Sequence, residues 1–204
     1  MIKMGLLKKL WEILNEPPNR KKARYLTRQA YFLVEQVGLS GPGLKMLKRD
    51  SKGQVRDITN LIRAGDLLEQ AIDTDPTYAH AHGEYGHVNL IDEDYDRAEK
   101  HTKIAIQLQP NEPKFWNNLA YTYFKKGDLR RAFVSVTVAG IIDPNYASAY
   151  LVKADIIQAM GGSQKEVQNL AERARRLYEQ TGLRSDGTPL REGEPESFLA
   201  MFKK

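Results

Sequence analysis

The 204-residue chain contains no cysteine, which removes disulfides, thiolate nucleophiles and cysteine-based metal sites from consideration. No apolar run approaches the roughly 20 residues needed to cross a bilayer. The opening "MIKMGLLKKLWEILNEPP" does not read as a secretion signal, because Lys8, Lys9 and Glu12 interrupt its apolar stretch and no small-residue cleavage site follows. A cytoplasmic protein is the expectation. Catalytic signatures are missing too: there is no G-x-S-x-G and no paired-carboxylate constellation. "GLSGPGLK", Gly38 to Lys45, is superficially like a phosphate loop. However, Leu44 separates Gly43 from Lys45, and no Ser or Thr follows the lysine. The chain reads as a non-enzyme that needs no cofactor.

What is present begins with charge. The net charge of +5 is unevenly spread: residues 1–60 hold 13 Lys and Arg against 5 Asp and Glu, while the remainder is mildly acidic at 18 against 21. An anionic partner belongs at the front.

A period of 34 residues organises the middle of the chain. Pro76, Pro110 and Pro144 are one step apart, and so are Ala64, Ala98 and Ala132. The same step joins Ala71, Ala105 and Ala139, then Gly86, Ala120 and Ala154. His82, Trp116 and Tyr150 form an aromatic column, with Ala81, Phe115 and Ala149 beside it. Within "PKFWNNLAYTYFKK", Trp116, Leu119, Ala120 and Tyr123 recur at helical spacing, and Gly127-Asp128 makes a turn. A second helix, from Leu129 to about Ile142, carries Ala132, Val136 and Ala139 on one face until Pro144 starts the next unit. Each unit is a hairpin of two antiparallel helices, closely approached at Ala120 and Ala132, with Trp116 buried above them.

These residues resemble the tetratricopeptide repeat (TPR), whose pattern residues 113–146 meet best through Trp116, Leu119, Ala120, Tyr123, Ala132, Val136, Ala139 and Pro144. Repeat 79–112 departs at Asn89 and Thr102, and repeat 147–180 drifts after "MGGSQKE". Residues 57–78 match a second helix only, with 20–37 as its candidate first helix, displaced by "LSGPGLKMLKRDSKGQ". The resemblance implies an all-α fold: a right-handed superhelical array of antiparallel helix hairpins, about three units plus a degenerate N-terminal one. The chain then divides into an amphipathic helix at 1–16, a basic helix and Gly/Pro loop at 17–56, the array at 57–180, and a linker with a short apolar close at 181–204.

The resemblance also implies function. The inner helices of this family line a concave groove that holds a peptide or helix of a partner protein. The residues carried onto that face are His80, Glu84, His87, Lys114, Asn117, Asn118, Tyr121, Ser148 and Asp155. Asn117 and Asn118 are expected on an exposed helix face. Chaperone-binding members grip a terminal carboxylate through Lys/Asn, Asn and Lys/Arg. Gly83, His87, Asn118, Ser148 and Val152 stand in those places here, and only Asn118 fits. His80, Glu84 and His87 also raise a metal site. But His80 and His87 lie about 10 Å apart along one helix at 1.5 Å per residue, too far for ligands each about 2 Å from one zinc.

Two further surfaces stand outside the groove. Leu6, Lys8, Lys9, Leu10 and Trp11 belong to a helix with a broad apolar face. Docking on the protein's own array is the plain reading, and an interfacial membrane helix or a partner-bound helix suits the same pattern. Arg20, Lys21, Lys22, Arg24 and Arg28 form a basic patch for an anionic partner, with Tyr31 and Phe32 expected inside. The runner-up functions are therefore a peripheral membrane assembly factor and, more weakly, a nucleic-acid-associated factor. In "SFLAMFKK", Phe198, Leu199, Met201 and Phe202 cap the array or bind a partner.

Overall fold

The computed structural model describes residues 16–37 and 59–181. The N-terminal segment with Leu6, Lys8, Lys9, Leu10 and Trp11, the Gly38–Lys45 loop and the 182–204 tail lie outside the described residues. Among the described residues there are eight helices and no strand. They are α1 Pro18–Val37, α2 Thr59–Thr74, α3 Ala79–Ile91, α4 Tyr95–Leu108, α5 Pro113–Lys125, α6 Leu129–Ile142, α7 Ala147–Ala159 and α8 Gln164–Thr181. They pack in consecutive pairs, α1 on α2 through α7 on α8, and the pairs stack into a helical solenoid. The basic helix α1 is thus the first arm of a hairpin.

The 34-residue step is visible in local chemistry. Every hairpin turn after the first passes through a left-handed residue: Glu93 at φ 63°, Gly127 at φ 81° and Gly161 at φ 79°. Glycine adopts that region without steric penalty, whereas Glu93 does not. The next residue but one opens the second helix. Asp94 accepts from the Arg97 amide, and Asp128 from the Arg131 amide, both at 3.0 Å. Ser163 does the same for Glu166, one residue later than the period demands. The drift after "MGGSQKE" is therefore an insertion of a single residue, and the buried alanine column resumes at Ala174.

Burial follows the same columns. Ala64, Ala98 and Ala132, and likewise Ala71, Ala105 and Ala139, are fully buried where the second helices meet their neighbours. A larger side chain at any of them would push two helices apart. Trp116 differs from expectation. It is half-buried against the core cluster, and its neighbour Phe115 is the fully buried aromatic, packed with Ala79 and Ala105. The indole keeps its rim outward because its N–H reaches the Pro110 carbonyl at 2.8 Å.

The aromatic burial expected at the other end of the array also differs. Phe32 is 48% exposed and Tyr31 half-buried, where the sequence pattern expected both inside. Pro17 aligns with Pro76 at an offset of 59, and the buried positions of α1 and α3 follow it: Ala23 with His82, Leu26 with Tyr85 and Ala30 with Asn89.

Candidate functional site

Along the inner helices α1, α3, α5 and α7, polar side chains meet across helix boundaries. Lys114 on α5 donates to Glu84 on α3 at 2.6 Å, and its ammonium lies 5.2 Å from the centre of the Tyr31 ring on α1. Burial disfavours the Glu84 carboxylate, but the charges of Lys114 and His87 and the lysine hydrogen bond outweigh it and hold the group below its ordinary value. His87 approaches Glu84 at 3.9 Å. Burial, reinforced by Lys114, pushes the His87 imidazole down to about 4, so it is neutral at physiological pH. His80 turns instead to the rings of Phe115 at 5.5 Å and Tyr78 at 5.7 Å. Among the described residues no group of three or more His, Asp and Glu is arranged to hold a metal ion.

The amides of α5 are the unusual feature. Asn117 and Asn118 are only 6% and 7% exposed, not surface residues as the helix wheel predicted. Yet among the described residues Asn117 Oδ1 and Asn118 Nδ2 find no hydrogen-bond partner. An unsatisfied buried amide atom costs about 1–3 kcal/mol, so a solvated, idle role does not account for the pair. One turn on, Tyr121 is also buried. Its hydroxyl is pushed up to about 12, first by burial and then by the charge of Asp155. Lys125 lies 6.0 Å from the centre of the Tyr121 ring.

Ser148 does not join this surface. It is fully buried, and its hydroxyl stands 3.1 Å from that of Tyr178 on α8. Gly83 shows why its position carries no side chain: a Cβ there would collide with the Phe115 ring.

The basic patch is partly spent on structure. Arg20 is bonded to Asp75 and, at 2.8 Å, to the Thr77 hydroxyl, which ties α1 to the turn before α3. Arg24 pairs with Glu16 at 2.8 Å. Lys21, Lys22 and Arg28 lie on the exposed surface of α1. Tyr25, Tyr31 and Phe32 had no place in the groove as read from sequence. The offset of 59 sets Tyr25 at the Glu84 position of that face, and Phe32 follows Arg28 by one helical turn.

A stack of helical hairpins with a polar inner face defines a helical repeat protein. A tetratricopeptide-repeat family model matches residues 103–133. Hsp70-Hsp90 organizing protein 3 of Arabidopsis thaliana is 26% identical over 142 residues, 66% of this chain. The chain spans about a quarter of that curated relative's length. Among solved structures, the O-GlcNAc transferase of Thermobaculum terrenum aligns with a TM-score of 0.59 at 16% identity, over 78% of this chain and 27% of that one. MamA aligns with a TM-score of 0.53 at 18% identity, over 76% of this chain and 88% of that one. At such identities the structural likeness speaks for the fold. The chain is built of tetratricopeptide-like helical hairpins.

Proposed function

We propose that this protein is a non-enzymatic scaffold that holds an extended segment of a partner protein along the inner faces of α3 and α5. The supporting observation is the pair of buried, unpartnered amide atoms at Asn117 and Asn118. One is an acceptor and the other a donor, which is the complement a passing peptide unit presents with its N–H and C=O. Tyr121 supplies apolar area with a polar tip beside them. Glu84 and Lys114 flank the amides with a matched pair of charges that an incoming segment can share. Nothing in this set is arranged for bond breaking.

Asn117→Ala with Asn118→Ala tests the reading. Alanine removes the unsatisfied atoms and improves helix propensity, while the cavities left by truncation oppose that gain, so the variant should stay folded within about 2 kcal/mol of the native chain. Partners captured by the intact protein should be lost. Identical partners for the double variant and the native chain would remove the groove from consideration.

A further inference from the structure

The sequence presents the basic stretch of α1 and the groove as two surfaces, and the helix register joins them. At the offset of 59, Lys21, Tyr25 and Arg28 stand where α3 presents His80, Glu84 and His87. The contact between Lys114 and the Tyr31 ring carries the same continuity across α1, α3 and α5 in side-chain terms. The inner face therefore continues onto a helix of different chemistry. α1 has five cationic residues and one acid, Glu35, whereas the segment from 61 to 204 carries more acid than base. Tyr25, at 62% exposure, and Phe32 are the large apolar residues of this end, and the Arg28 guanidinium lies 5.7 Å from the centre of the Phe32 ring.

Two neighbouring acids already have cations: Asp75 holds Arg20 and Glu16 holds Arg24. The exposed Arg28 guanidinium stands beside aromatic rings, on a face that continues into a groove. A flat bilayer meets an outer or end surface, not the inner side of a solenoid. An extended chain fits that inner side.

We propose that the inner face of α1 is the end of the groove that selects acidic, aromatic-containing peptide segments. Arg28 takes a carboxylate while Tyr25 and Phe32 cover the peptide's apolar side chains. The proposal rests on the groove reading above and adds the class of partner. It concerns side-chain carboxylates along a segment, not a chain terminus.

The test uses the full-length protein and two N-acetylated, C-amidated decapeptides, each with two phenylalanines. One is otherwise rich in glutamate, and the other has glutamine at every glutamate. The glutamate peptide should bind at least tenfold more tightly than its glutamine counterpart in low salt, and the preference should shrink as salt rises. Arg28→Glu should abolish the preference, and Arg130→Glu, the same charge change on the exposed surface of α6, should leave it intact. Equal binding of the two peptides, binding of neither, or equal loss in both variants overturns the proposal. So does Arg28-dependent binding to phosphatidylserine vesicles or single-stranded RNA without the peptide preference. If the glutamate peptide binds and the Asn117→Ala, Asn118→Ala variant binds it equally well, the groove reading fails while the α1 surface stands.

Discussion

The indole N–H of Trp116 donates to the carbonyl of Pro110 at 2.8 Å, and the bond recurs at each neighbouring repeat with different chemistry. The Tyr150 hydroxyl donates to Pro144 at 2.9 Å, and His82 Nε2 meets the Pro76 carbonyl at 3.0 Å. A carbonyl only accepts, so His82 carries its proton on Nε2. Three side chains were chosen for one bond that closes the turn between hairpins. Trp116→Phe keeps the half-buried ring and loses the bond, so it should lower stability by about 1 kcal/mol. Chemical denaturation measures it, and an unchanged midpoint would show that the bond contributes nothing.

The same histidine makes the fold sensitive to acid. With Nε2 protonated, the neutral His82 ring accepts at Nδ1 from His101 Nδ1, 3.1 Å away. Burial lowers the His82 pKa. Burial, with the neighbouring His82 and Lys100, pushes His101 down to about 4, matching His87. Between the ordinary histidine value of 6.5 and about 4, the unfolded chain binds protons that the folded chain refuses. Stability therefore rises with pH in that window and is lost as pH falls through it. Thermal melts from pH 7 to 4 should show a steady decline, shallower in His101→Gln. Glu99 titrates lower, because hydrogen bonds from Lys103 and Lys126 overcome burial and hold it at about 2. Its share of the loss falls below the histidine window.

Glu93 occupies the turn position that glycine fills in the next two hairpins. A left-handed backbone costs an L-residue about 1–2 kcal/mol, and glycine's extra freedom when unfolded takes back about half a kcal/mol or more. Glu93→Gly should therefore stabilise the protein by about 0.5–1 kcal/mol, read as a higher melting temperature. A lower one would mean that the Glu93 side chain makes a contact worth more than the strain.

The array was legible in sequence because a repeat prints the same packing demand every 34 residues. Ala98 and Ala132 meet the same neighbour in successive hairpins, so their recurrence encodes a distance between helices. The one-residue insertion near Gly161 hid the last column, whereas the first hairpin was legible as 20–37 paired with the helix after the insertion. Site chemistry was less legible. A helix wheel places Asn117 and Asn118 on the inner side but cannot tell that neighbouring helices crowd that side enough to bury them. It likewise placed Ser148 among the groove residues, when its hydroxyl faces Tyr178. The reverse happened on α1: an apolar pattern normally buries Phe32, yet it stands 48% exposed beside Arg28.

The central claim is that the inner face is the working surface, and site-specific photo-crosslinking tests it whatever the partner's identity. A benzoyl-phenylalanine would replace either Tyr121 on the inner side of α5 or Ile141 on the exposed surface of α6. The substituted proteins, produced in cells and irradiated, should capture a discrete partner band from position 121, lost on adding Asn117→Ala and Asn118→Ala. Position 141 should yield none. A partner captured from position 141 and absent from position 121 would contradict the account.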